Sequence, residues 1–338
     1  MLVNRTWLND YTSIPLTDAE LAEKLTLGGL PAAAVEGGLE VQIPAHRPDC
    51  LGVAGLAREL AALCGTDFTL PEPEVAGGAE GCLIELLDVD AYDPGLCRRF
   101  TARLVRKANV TASPDWMQAR LLAQGIRPLN VFTDIARYVS LEYGQPVQAL
   151  DQSALLEGRL VLRGAMEGEV LTTADGEALA LLPGAAVLAD DWQAVALAGV
   201  ADGLNSRVKE STADVVFCAA SLDRATVKNT LSALKLRAPL AAQLAADLDP
   251  MLTLPAVDRC CALVERLSVG QVMDGTMDVL NYVPHPTVLT LEDPAAAPLL
   301  ASAGFAVEGD SVTVPSWRSD ITTRQDLLDE AARIARCH

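Results

Sequence analysis

Aromatic side chains are scarce in this 338-residue chain, at 4%, while half of all residues are hydrophobic. Aliphatic residues and alanine must therefore fill its core, and alanine-rich helices are expected. Histidine is scarcer still. Only His46, His285 and His338 occur, which argues against a histidine-rich metal site or a Ser-His-Asp triad. Basic residues are outnumbered, 26 Lys and Arg against 45 Asp and Glu, giving a formal charge of -19 and a pI near 4.5. A protein that grips nucleic acid mainly by neutralising phosphates needs the opposite balance, so only local basic patches remain open. Long apolar runs are missing too. The longest, Ala178 to Ala189, is broken by Pro183 and Gly184 and is too short to cross a bilayer. The first residues, MLVNRTWLNDY, lack the apolar centre of a secretory signal, so the chain is expected to be cytoplasmic. Eight cysteines occur without a CxxC pair or regular spacing. They read as buried thiols rather than disulfides or zinc ligands.

What is present points to a folded, multidomain protein. A mean hydropathy of +0.24 offsets the ordering entropy that a polar tail cannot. Thr17 and Glu20 make a capping box before a helix that Gly28-Gly29 stops. Leu56, Leu60 and Leu63 repeat at helical spacing in a second helix ending at Gly65. TDFTLPEPEVAGGAE, from Thr66, has no periodicity and marks a linker. Beyond it CLIELL, FTARLVR and RLVLR read as strands, and a helix is expected to be capped by Ser113 and opened by Pro114. VLTTA and EALALL flank Asp175-Gly176 as a hairpin, and AAVLA, AVALAG and DVVFCA read as further strands. Helices follow near Leu222–Lys235 and Ala256–Leu267. A last unit reads strand, helix, strand, helix.

Few motifs carry chemistry by themselves. Asp326, Asp329 and Glu330 sit at i, i+3 and i+4 on one helix face, with Asp320 a short turn earlier. Oxygen donors grouped so suit Mg²⁺. The same spacing equally suits a solvated face, with Asp326 favouring the helix dipole. ALAGVADGLNS lacks the Lys-Ser/Thr of a phosphate loop and fails as one. Gln145 and Gln148 flank Pro146 in a turn that either offers a polar side chain to a pocket or closes a helix. Cys218 lies in an apolar strand with no nearby base in sequence and reads as a core thiol, as do Cys260 and Cys261.

Four stretches, in order, resemble the β subunit of bacterial phenylalanyl-tRNA synthetase: HRPDCLGVAGLARELAAL from His46, PDWMQARLLAQGIRPLNVFTDIARYVSLEYGQPVQALD from Pro114, ALAGVADGLNSRVKESTADVV from Ala196 and VPSWRSDITTRQDLLDEAARI from Val314. The resemblance covers the front portion of such a subunit. It lacks the oligonucleotide-binding insert near position 38 and the catalytic-like core. The fold class it implies is α+β and multidomain, with a central mixed α/β editing-type domain flanked by two small winged-helix-like domains. The expected divisions are 1-70, a linker 71-80, the editing-type domain 81-270, a linker 271-284, and a shortened last domain 285-338.

That resemblance implies site residues as well. Asp320, Asp326, Asp329 and Glu330 match the family's Mg²⁺ ligands. The family's editing pocket, which clears mischarged tyrosine from tRNA, has a histidine in GQPxHAFD, a glycine in GVxGG and a glutamate in VxLExA. Here these positions hold Gln148, Asp202 and Cys218, and the RxERGxDP segment has become QLAADLDP around Gln243. Losing partners built to hydrogen-bond a phenol should remove most discrimination. Asp202 in a partly desolvated cleft should prefer an amine to a phosphate ester. The leading expectation is thus a truncated paralogue acting as a binding or regulatory module for an amino acid or amine. Its alternatives are a trans-acting aminoacyl-tRNA hydrolase, a partner of a synthetase α subunit in phenylalanine-tRNA ligation, and a biosynthetic protein using aminoacyl-tRNA or an amino acid.

Overall fold

A computed structural model describes residues 1–236, 243 and 245–338. The described residues form two compact units: Met1–Pro71 with Glu142–Gly144 and Pro284–His338, and Glu72–Leu141 with Gln145–Val283. Both end segments, expected as separate domains, thus fall in one unit.

The first unit opens with β1 (Leu2–Val3), α1 (Arg5–Leu8), α2 (Asp18–Leu27), β2 (Ala32–Val35), β3 (Gly38–Val41) and α3 (Val53–Cys64). The three strands form an antiparallel sheet in the order β1-β3-β2. The Thr17–Glu20 capping box is formed, and Leu21 and Leu25 are buried. Leu56, Leu60 and Leu63 are buried as well, and Gly65 ends α3 in the left-handed conformation at φ 64°. Glycine adopts that conformation without the clash a Cβ would bring.

The second unit contains α4 (Leu83–Leu86), β4 (Asp88–Ala91), β5 (Cys97–Arg106), α5 (Asp115–Ala123), α6 (Val131–Tyr143) and β6 (Val147–Asp151). It continues with β7 (Arg159–Gly164), β8 (Val170–Thr172), β9 (Ala178–Ala180), β10 (Ala186–Ala189), β11 (Ala194–Leu197), β12 (Ala201–Asp202), β13 (Val215–Leu222), α7 (Arg224–Ala233), α8 (Thr253–Leu267), β14 (Gln271–Val272) and β15 (Met277–Leu280). One five-stranded sheet runs β12-β11-β10-β7-β4. A second runs β14-β5-β13-β6, with β15 also paired to β5. Between them lies an apolar core that includes Phe100, Leu104, Leu150, Leu160, Leu188 and Val216. The hairpin β8–β9 turns at Gly176, whose φ is 87°.

Three local expectations change. CLIELL contributes the helical turn α4 rather than a strand. Leu83 and Leu87, four apart, are both buried while Ile84 is 74% exposed, a helical rather than an alternating pattern. Ser113 does not cap α5. Pro114 occupies that position, and the Ser113 hydroxyl donates instead to Asp134 at 2.5 Å. Residues 271–284 are not a plain linker, because β14 and β15 within them both pair with β5.

The first unit resumes with β16 (Val288–Thr290), α9 (Ala297–Ser302), β17 (Ala306–Glu308), β18 (Ser311–Thr313) and α10 (Arg324–Ala335). These strands form a second small antiparallel sheet, β16-β18-β17. A Thr323–Asp326 capping box starts α10.

Candidate functional site

Strand pairing brings the three substituted positions together. β6 and β13 run antiparallel in a register that sets Gln148 opposite Cys218. β11 and β12 are joined through Gly199, at φ 70°, so that Asp202 pairs with Ala196. The Gln148 amide spans the gap between these pairs. Its Oε1 accepts the Gly199 N–H at 2.6 Å, and its Nε2 donates to Asp202 Oδ1 at 2.9 Å and to the Leu197 carbonyl at 3.5 Å. The backbone is close here: a Cβ on Gly203 would lie 2.1 Å from the Val195 carbonyl oxygen.

Burial pushes the Asp202 carboxyl pKa up, against the Gln148 hydrogen bond and the charge of Arg137. Burial also raises the Cys218 thiol far above its ordinary range, and nearby Asp202 adds to the shift. Cys218 is therefore protonated near neutral pH and is no nucleophile.

A cavity of about 20 Å³ opens beside Gln148 and Cys218, walled by Phe100, Pro146, Leu188 and Leu248 among others. It has room for about one water. Among the described residues, no Lys, Arg, His, Asp or Glu lines it. Asp202 was expected to present a carboxylate to a ligand. Its side chain serves as acceptor for Gln148 and is not part of the cavity wall. Gln243, from the QLAADLDP segment, does reach the wall, whereas residue 244 lies outside the described residues.

The expected metal ligands, in the first unit, are engaged elsewhere. Both Asp320 oxygens accept from Arg318, at 2.8 and 2.9 Å. Glu330 is 4% exposed and accepts from Arg318 and from two nitrogens of Arg333, the latter at 2.8 Å each. Asp326 Oδ2 caps α10 through the Thr322 and Thr323 N–H groups, and Asp329 accepts from Gln325 at 2.9 Å. Burial opposes ionisation of Glu330, yet Arg333 and Arg318 hold its pKa well below the usual range. Among the described residues, no three His, Cys, Asp or Glu side chains are grouped to hold a metal ion. A hydrated Mg²⁺ needs carboxylate oxygens that are free to bind it. Asp320 and Glu330, with both oxygens held by arginines, do not fit it.

The same arginines belong to a larger network that charge counting along the sequence had missed. Arg47 binds Asp49 through two nitrogens, at 2.9 and 2.8 Å, and Glu59 at 2.7 Å. Arg333 donates to the other Glu59 oxygen and to the Gly28 carbonyl. Arg58 lies 4.2 Å from the centre of the Trp317 ring and 3.7 Å from Asp49. Four guanidiniums thus meet four carboxylates, Asp49, Glu59, Asp320 and Glu330, with no net charge. The only sequence signal was the Arg-x-Asp spacing shared by RPD at Arg47 and RSD at Arg318.

The central sheets account for the similarity to known families. Residues 96–269 match the B3/4 domain family model. The chain belongs to the B3/4 domain family. Beyond this B3/4 domain, it is homologous to the amino-terminal portion of phenylalanine–tRNA ligase β subunits. It is 36% identical over 313 residues to the β subunit of Clostridium tetani, a match covering 88% of this chain and 39% of that one. With the Rhodopirellula baltica β subunit it shares 34% over 357 residues, covering 99% of this chain and 52% of the other. It therefore spans about 40–50% of these relatives. An amino-terminal fragment of the phenylalanyl-tRNA synthetase β subunit from Pyrococcus horikoshii has a similar fold, with a TM-score of 0.50 at 11% identity over 98% of this chain and 96% of that one. Among the described residues, no helix is long and apolar enough to cross a membrane.

Proposed function

We propose that this B3/4 protein is a binding or regulatory module of the phenylalanyl-tRNA synthetase β type, without ester-hydrolysing chemistry of its own. One observation carries the reading: the described cavity wall has no charged side chain and no histidine. Its one ionisable side chain, Cys218, is held protonated by burial. General acid–base catalysis needs a group whose pKa lies near the working pH, and the described residues of the wall offer none.

The ligand that suits such a wall presents it with a small, largely apolar group, such as the side chain of alanine or valine. Homology makes aminoacyl-tRNA and a synthetase α subunit the macromolecular partners to test first, and supports the winged-helix-like reading of the two small sheets.

Deacylation of Tyr-tRNA and other mischarged tRNAs by the purified chain, run beside a thermal-shift panel of amino acids, tests the proposal. Small aliphatic amino acids are expected to raise the melting temperature, with no deacylation above background. Deacylation lost on Gln148→Leu would overturn it in favour of the hydrolase.

A further inference from the structure

Two thiols that the sequence keeps far apart are gathered at one end of the first unit. Cys64 is the last residue of α3 and is half-buried, whereas Cys337, just beyond α10, is buried. α10 packs against α3. The residues flanking both cysteines are in contact: the His338 ring nitrogen Nε2 lies 2.8 Å from the Ala62 carbonyl, and its ring lies 3.4 Å from where a Cβ on Gly65 would sit. Lys24 joins the cluster. Its ammonium donates to the Cys337 carbonyl, and its own carbonyl accepts from Cys337 Sγ at 3.9 Å.

We infer that Cys64 and Cys337 form a reversible disulfide when the protein meets a hydroperoxide. The half-buried thiol reacts first. Cys64-SH and H₂O₂ give Cys64-SOH and water, the O–O bond taking two electrons from sulfur. The Cys337 thiol then attacks the sulfenic sulfur and expels the oxygen as a second water, leaving the S–S bond. A dithiol reductant reverses the reaction. Burial raises both thiols while Lys24 lowers both, and the charge of Cys337 raises Cys64 further. Reaction is therefore slow, set by a small thiolate fraction. The other cysteines lack this arrangement. Cys50, Cys97, Cys218, Cys260 and Cys261 are buried, and only Cys82 is exposed.

The test uses the full chain carrying Cys82→Ser, so that no exposed thiol cross-links molecules. After hydrogen peroxide treatment and alkylation, digestion without reductant is expected to release a peptide pair joined through Cys64 and Cys337. Closing so long a loop should also speed migration on a non-reducing gel and raise the melting temperature, by about 5 °C or more. Dithiothreitol reverses both changes, and Cys64→Ser or Cys337→Ser abolishes them. Cys64→Ser alters a half-buried position and keeps the test independent of any folding defect in the other variant. Recovery of Cys64 as sulfenic or sulfinic acid while Cys337 remains free to alkylate would overturn the inference, as would a cross-link from Cys64 to any other cysteine.

Discussion

Replacing Arg333 with methionine keeps side-chain length on α10 and removes one charge from a network that has none to spare. Arg333 serves two buried carboxylates, Glu59 and Glu330, each 4% exposed. Breaking a buried ion pair from one side costs about 3–5 kcal/mol. Here Glu59 keeps Arg47 and Glu330 keeps Arg318, so the loss should fall near 3 kcal/mol, at the lower end of that range. Urea unfolding followed by hydrogen exchange of residues 47–64 and 318–335 measures it within the first unit.

The pH dependence gives a second handle on the same variant. Glu330 has a folded pKa depressed below its ordinary 4.5, so protons bind the unfolded chain more readily. Its contribution is complete above about pH 4.5 and fades as pH falls toward the depressed folded value. Arg333→Met raises that folded pKa, so less stability remains to be lost to acid and the acid limb becomes shallower. A cost below about 0.5 kcal/mol, the level of an exposed pair, together with an unchanged acid limb, would refute the reasoning.

Three further outcomes follow from the same geometry. EDTA and added Mg²⁺ should leave the melting temperature within about 1 °C of the untreated protein, because arginines already occupy Asp320 and Glu330; a clear Mg²⁺-dependent rise would restore the metal reading. Gln148→Leu strips the Gly199 N–H and Asp202 of their partner and should cost about 1–3 kcal/mol for each group left unmatched, whereas Asp202→Asn keeps an acceptor for Gln148 and should cost far less by denaturant titration. Gly203→Ala drives a Cβ to 2.1 Å from the Val195 carbonyl and should destabilise the second unit by about 1–3 kcal/mol or more, read from its thermal unfolding.

Where local chemistry decides structure, the sequence was legible. The Thr17–Glu20 cap, the Gly65 stop and the Gly176 turn each act within a few residues, and all three appear in the fold. Leu83 to Leu86 misled because so short an apolar run fits a strand or one helical turn, and only burial of Leu83 with Leu87 decides between them. The ion network was hidden for a different reason. Arginines and carboxylates near one another in sequence look like a solvated surface until a contact such as Glu59–Arg333, 274 residues apart, shows that they share one buried cluster. The pocket lay between these extremes. Homologous position brought Gln148, Asp202 and Cys218 together, but Asp202's role as acceptor for the Gln148 amide depends on side-chain orientation, which no motif records.

The Glu59–Arg333 contact sets an order of events during synthesis. Residues 72–283 emerge from the ribosome between its two partners and hold all of the second unit. At about 5–20 residues per second, Glu59 waits roughly a quarter of a minute to a minute for Arg333 to be made. Throughout that interval the segment bearing Arg47, Asp49 and Glu59 lacks the helix that completes its burial, while the central sheets become free to close once Leu280 has been made. The nascent chain therefore carries an open, charge-lined hydrophobic face, and chaperone engagement or aggregation during translation should concentrate there.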